Sequence, residues 1–167
     1  MVKDQNKLPS REERYKMVET LREASEGKLF LEREYAQVTR MLCEMMEQDG
    51  KEEEATKIIQ EIQIETYGSL EMQEKVEFIL YQMKLVLARK DYVRVQILSR
   101  KISKRHIAQK GLEAHKIEFY TYMIHYYIHE KKQLEAAQCY QTIYDTFNGA
   151  EDHKSLEILG QSKVKSF

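Results

Sequence analysis

Apolar residues recur at intervals of three and four along most of the chain, and strand-type alternation is scarce. That spacing puts them on one face of each of a series of helices. It predicts helices over residues 10–26, 28–48, 51–66, 69–89, 91–103, 111–130 and 132–146, with a weaker segment at 151–159. Ser10 and Glu13, just after the single proline Pro9, form the capping signature that opens the first of them. Gly27, Gly50, Gly68, Gly111 and Gly149 fall between the segments, where a glycine can close a helix in the left-handed region. The pattern is all-α.

The helices also repeat in pairs. Turns fall at Asp49-Gly50, Lys90-Asp91 and Lys131-Lys132, and sliding the chain by 40 and then 41 positions superposes them. In the first helix of each pair the shift aligns Val38 with Phe78 and Phe119, Met41 with Tyr81 and Tyr122, and Met45 with Leu85 and Tyr126. In the second it aligns Ala55 with Val95 and Ala136, Ile58 with Leu98 and Cys139, and Ile62 with Ile102 and Ile143. Six aligned triplets at one shared offset predict an α-solenoid of antiparallel helix pairs, tetratricopeptide-like, with a leading helix. The expected organisation is a flexible N-terminus at 1–9, a helical-repeat body at 10–148, and a weakly ordered tail or the start of a further repeat at 149–167.

Composition narrows the class. The chain has 167 residues, 42% hydrophobic and 33% charged, which is enough apolar material for a core and excludes collagen-like and linker sequences. Cys43 and Cys139 are too few for a disulfide framework or a structural zinc site. The polar opening Met-Val-Lys-Asp-Gln lacks a secretory apolar core. The most apolar stretch, 117–128, contains Glu118 and falls short of the ~20 residues of a membrane helix. These features predict a soluble protein of the cytoplasm and nucleus, without a membrane partner.

Charge is segregated along the chain. The total is −1, yet residues 44–77 carry eleven acids and three lysines, while 84–110 carry nine basic residues against Asp91 alone. The densest part is Arg100-Lys101-Ile102-Ser103-Lys104-Arg105-His106, at a helix C-terminus where cations also complement the helix dipole. One reading is a solvated face. The other is a protein docking surface, with Arg94, Arg100, Lys101, Lys104 and Arg105 as its candidate residues. Nucleic acid is not expected as a partner: no recognition motif accompanies the cluster, and the acidic half opposes phosphate.

Catalytic chemistry finds no support. His125 and His129 have the i,i+4 spacing of metal ligands, but the stretch reads His-Tyr-Tyr-Ile-His and lacks the glutamate base of a zincin. His115 lies roughly 80° around the same helix, so a metal-dependent enzyme is a minor alternative. Cys139 falls at a core position of the repeat, and Cys43 has no histidine near it in sequence. There is no phosphate-cradling glycine loop and no nucleophile elbow. No cofactor, metal or small-molecule substrate is expected.

Several ordered segments carry a resemblance. They are Glu26-Gly27-Lys28-Leu29, Glu47-Gln48-Asp49-Gly50, Ile-Gln-Glu-Ile-Gln-Ile-Glu-Thr-Tyr-Gly-Ser at 59–69, Lys-Val-Glu-Phe-Ile-Leu at 75–80, Lys-Asp-Tyr-Val-Arg-Val-Gln-Ile at 90–97, and Ile-Tyr-Asp-Thr at 143–146. In order and spacing they resemble the 26S proteasome non-ATPase regulatory subunit 12 family, scaffolds of the regulatory-particle lid. The resemblance implies a non-catalytic helical arm acting in ubiquitin-dependent degradation, with other regulatory-particle subunits as its partners. It also implies a following PCI module, which the residues after Asn148 are expected to be too few to build. A related signalosome subunit and a generic helical-repeat adaptor are the alternatives.

Overall fold

Three helical hairpins in this chain turn by the same hydrogen-bond pattern. The computed structural model describes residues 10–149, and every described regular element is helical. At the end of each first helix the backbone enters the left-handed region at one residue: Gly50 with φ 72°, Lys90 with φ 58°, Lys131 with φ 58°. The following N–H then reaches back to close a Schellman motif, Lys51 to Met46 at 2.9 Å, Asp91 to Val86 at 3.0 Å, Lys132 to Tyr127 at 2.9 Å. The carbonyls of Lys51, Asp91 and Lys132 accept the first bond of the second helix, from Ala55, Val95 and Ala136. Those three residues are all buried. The 40- and 41-residue offsets read in the sequence are therefore the offsets of equivalent turns.

The described residues divide into two compact units, the first ending at Lys75 and the second beginning at Val76. In the first, α1 (Arg11–Ser25) packs on α2 (Glu32–Gln48), and α2 on α3 (Glu52–Gln60). Ser10 accepts a bond from the Glu13 N–H while the Glu13 carboxylate takes the Ser10 N–H, the capping box expected there. Ala36, Leu42, Cys43, Ala55 and Ile59 form the packed interior. A long helix, α4 (Met72–Ala88), begins in this unit and continues into the next. The second unit then holds α5 (Tyr92–Lys101), the short α6 (Lys104–Ile107), α7 (Glu113–His129) and α8 (Gln133–Gly149). There α7 packs on α8 and takes α5 and α6 as well.

Four expectations need correction. The helix read at 28–48 starts as a 3-10 turn, Leu29–Leu31, before α2. The helix read at 51–66 breaks after Gln60 and resumes only as a 3-10 turn, Ile64–Thr66, with Ile62 and Ile64 both buried. The segment after Ser103 forms α6, with the Ser103 hydroxyl accepting the His106 N–H. Gly149 is the last residue of α8 and not a break beyond it, and Gly68 has no positive φ. The N-terminus at 1–9, and the tail after residue 149 with its weak helix at 151–159, lie outside the described residues.

The repeat register holds, but the face chosen for α2 does not. Met41 is 52% exposed and Val38 and Met45 are only half-buried, although Phe78, Phe119, Tyr81, Leu85 and Tyr126 at the aligned positions are buried. At the same offsets, Ala36, Val76 and Ile117 are all buried, as are Leu42, Gln82 and Met123, and Cys43, Met83 and Ile124. α4 buries side chains almost all round, whereas α2 buries one face.

Candidate protein-docking groove

The basic cluster is split by one buried isoleucine. Ile102 ends α5 in extended conformation and turns inward. The chain then re-enters a helix at Ser103, so Arg100 and Lys104 stand on two different elements instead of on one helical stripe. At the other end of α5, the Asp91 carboxylate accepts the Arg94 N–H at 3.1 Å and pairs with the Arg94 guanidinium at 3.2 Å. That exposed pair belongs to the helix cap.

Arg100 and Lys104 border a groove of about 680 Å³ in the second unit. Its floor is Phe119, Met123 and Tyr126 of α7, with Tyr120 and Tyr127 half-buried beside them. The far wall is Lys132 at the hairpin turn and Glu135, Gln138, Cys139 and Thr142 of α8. Of the five residues expected to form a docking surface, the fold brings Arg100 and Lys104 to this groove, while Arg94, Lys101 and Arg105 lie outside its lining. Lys132 is the residue that sequence reasoning missed. Its signal was present in the repeat, where it occupies the turn position of Lys51 and Asp91, but nothing in the linear order ties it to Arg100.

The groove's charge is simple. Burial raises the pKa of the Tyr120 and Tyr127 hydroxyls. Burial also raises the Cys139 thiol, with the Lys104 cation pulling the other way. All three groups are neutral at neutral pH, so Arg100, Lys104 and Lys132 face Glu135 as the lone carboxylate of the lining. A thiol held up by burial is the opposite of an activated nucleophile. Cys43 is the same case, fully buried and pushed up to about 12 mainly by desolvation.

The histidines separate. His115 Nε2 lies 3.3 Å from the Glu77 carboxylate of α4. The His129 ring stacks on Tyr92, with its Nδ1 3.3 Å from Glu130. His125 is exposed. Among the described residues no group of three or more His, Cys, Asp or Glu is placed to hold a metal ion. No described helix is long and apolar enough to cross a membrane.

The acidic stretch is partly neutralised within its own unit. Arg11 and Tyr15 of α1 both reach Asp49, Arg22 meets Glu61 at 3.0 Å, and Arg33 meets Glu74 at 2.7 Å. Arg40 and Lys57 pair with Glu44 and Glu53 one helical turn away. The groove is thus the stronger of the two charged features as a candidate docking surface, since it combines concavity, an apolar floor and three cations against one carboxylate.

Residues 1–152 match the family described as PSMD12/CSN4, N-terminal. The chain is 34% identical over 151 residues to the 26S proteasome non-ATPase regulatory subunit 12 of Dictyostelium discoideum, covering 90% of this chain and 34% of that protein. It is 43% identical over 133 residues to the 26S proteasome regulatory subunit RPN5 of Saccharomyces cerevisiae, covering 80% of this chain and 30% of the relative. A 26S proteasome non-ATPase regulatory subunit 12 homolog A from Arabidopsis thaliana is 34% identical over 164 residues, 84% of this chain and 37% of its own. The chain spans about a third of the length of these curated relatives.

Proposed function

Since this chain belongs to the PSMD12/CSN4 N-terminal family, we propose that it is a non-catalytic helical scaffold of a 26S proteasome regulatory particle, acting in ubiquitin-dependent protein degradation through protein–protein contacts. The observation that carries this reading is the match, over 80% or more of this chain, to relatives named as 26S proteasome regulatory subunits. The recurrent hairpin turns support a solenoid arm, in which each helix pair needs its neighbours to bury both faces. Its partners in this reading are other regulatory-particle subunits in the cytoplasm and nucleus. The cationic residues of α5 and α6, Arg94, Arg100, Lys101, Lys104 and Arg105, supply a docking surface, with Arg100 and Lys104 at its centre.

The test is assembly. The full chain, tagged and expressed at native level, should co-sediment with regulatory particles and with 26S particles purified through another subunit. Its complete absence from both would overturn the assembly reading, and recovery with a signalosome in their place would move it to the related complex.

A further inference from the structure

We propose that the groove between α5–α6 and α8 binds an extended, acidic peptide segment bearing a large apolar side chain, its carboxylates on Arg100, Lys104 and Lys132. This rests on reading the chain as a docking scaffold and adds the chemistry of the segment that docks.

Three features of the groove carry the proposal. The first is charge: three cations stand on separate elements around the lining with Glu135 as its carboxylate, so an acidic segment is steered in from several sides. Two of the three are held by backbone structure. Lys132 is fixed by the hairpin turn, its N–H on Tyr127 at 2.9 Å and its carbonyl taking the Ala136 N–H at 3.1 Å. Lys104 opens α6 directly behind its Ser103 cap. The second feature is the apolar floor of Phe119, Met123 and Tyr126, which gives a leucine or phenylalanine side chain a place out of water.

The third is the pattern of polar groups on the walls. The Ser99 hydroxyl donates to the Gln96 carbonyl at 2.8 Å, and the Thr142 hydroxyl to the Gln138 carbonyl at 2.8 Å. With their protons committed, both oxygens present acceptor lone pairs, which suit the N–H groups of an extended chain. The Gln96 and Gln138 amides stand beside them and offer donors as well as acceptors. A groove of about 680 Å³ lies within the ~300–1,000 Å³ typical of binding clefts and holds a short segment.

The same features favour peptide over single-stranded nucleic acid. Bases stack on open aromatic faces. Here Tyr120 and Tyr127 are half-buried, set edge-on to Phe119 at 5.2 Å and to Tyr126 at 5.3 Å. The open rings of α8, Tyr140 at 57% and Tyr144 at 62% exposure, lie outside the lining.

The experiment is fluorescence anisotropy with the full chain and a fluorescein-labelled peptide of glutamate, aspartate and glycine around one phenylalanine. A counterpart peptide carries glutamine and asparagine instead, and a polyuridine oligonucleotide is the third probe. The acidic peptide should bind saturably, about tenfold more tightly than the neutral one, and more weakly as salt rises. Lys104→Glu and Lys132→Glu should each weaken it about tenfold, although they come from different helices. Lys110→Glu makes the same charge change at an exposed position outside the lining and should leave binding within about twofold. Far-UV circular dichroism checks each variant, and Lys104→Gln and Lys132→Gln carry the test if a reversal fails to fold. Equal binding of the neutral peptide, an equal loss from Lys110→Glu, or tighter binding of the oligonucleotide would each overturn the proposal. A chain that joins the regulatory particle yet ignores the acidic peptide fails here alone. One that binds the peptide but never joins the particle fails the assembly reading alone.

Discussion

The Tyr92 ring lies flat against the His129 imidazole, centroids 3.7 Å apart and planes 12° from parallel. The contact ties the first residue of α5 to the last of α7 and commits to packing a histidine that the sequence offered as half of a metal pair. A double-mutant cycle with Tyr92→Ala and His129→Ala should show a coupling of about 0.5–1.5 kcal/mol in urea denaturation. Tyr92→Phe keeps the ring and should stay close to the parent.

The hairpin turns differ in one respect with a measurable cost. Lys90 and Lys131 adopt the left-handed backbone with a side chain, while Gly50 adopts it without one. Lys90→Gly and Lys131→Gly should each stabilise the protein by up to about 1 kcal/mol. Gly50→Ala should destabilise it by about 1 kcal/mol, and purely through backbone strain, since a Cβ there would meet nothing within 4 Å. Midpoints of chemical denaturation at unchanged slope are the readout.

Aspartate at the repeat isoleucines separates buried from half-buried positions. Ile62 and Ile102 are buried beyond the ends of their helices. Ile62→Asp and Ile102→Asp should each cost about 3 kcal/mol, because a carboxylate would be desolvated there and the apolar packing lost. Ile143→Asp, at the aligned but half-buried position of α8, should cost clearly less. Equal losses at all three would mean that the repeats bury α8 as deeply as its predecessors.

The thiols give a pH-dependent signature. Cys43 donates to the Ala55 carbonyl at 3.4 Å, and desolvation moves its pKa from an ordinary 9.0 to about 12. The folded protein holds that proton after the unfolded chain has lost it. The stabilisation is therefore complete below pH 9.0 and disappears as pH rises toward about 12. Cys43→Ala should be less stable at neutral pH through lost packing, yet show a shallower alkaline decline. At about pH 8 a disulfide reagent should label neither cysteine of the folded chain quickly, and Cys139 before Cys43, with both reacting freely in denaturant.

The helices and their period were legible from residues alone because both are local. The 3.6-residue spacing, the Ser10–Glu13 box and the turn positions near Gly50, Lys90 and Lys131 act within a few residues of themselves. A local signal also existed where the reading failed. Ser103, a capping residue, marks the start of α6, but that signal is shorter than the helical pattern around it.

The family, too, was legible in the ordered segments, since it rests on residue identity rather than on packing. What the sequence could not decide was which face of α2 is buried. Val38, Met41 and Met45 are as apolar as the residues aligned with them, and only the neighbours of a helix determine which side meets water. The groove was beyond it for the same reason. Arg100, Lys104 and Lys132 become one cationic rim because Ile102 turns inward and α8 folds back along α7. The sequence by itself determined the all-helical repeat and its turns, through short-range geometry. Only tertiary packing, which joins residues far apart in the chain, decided where its charges converge.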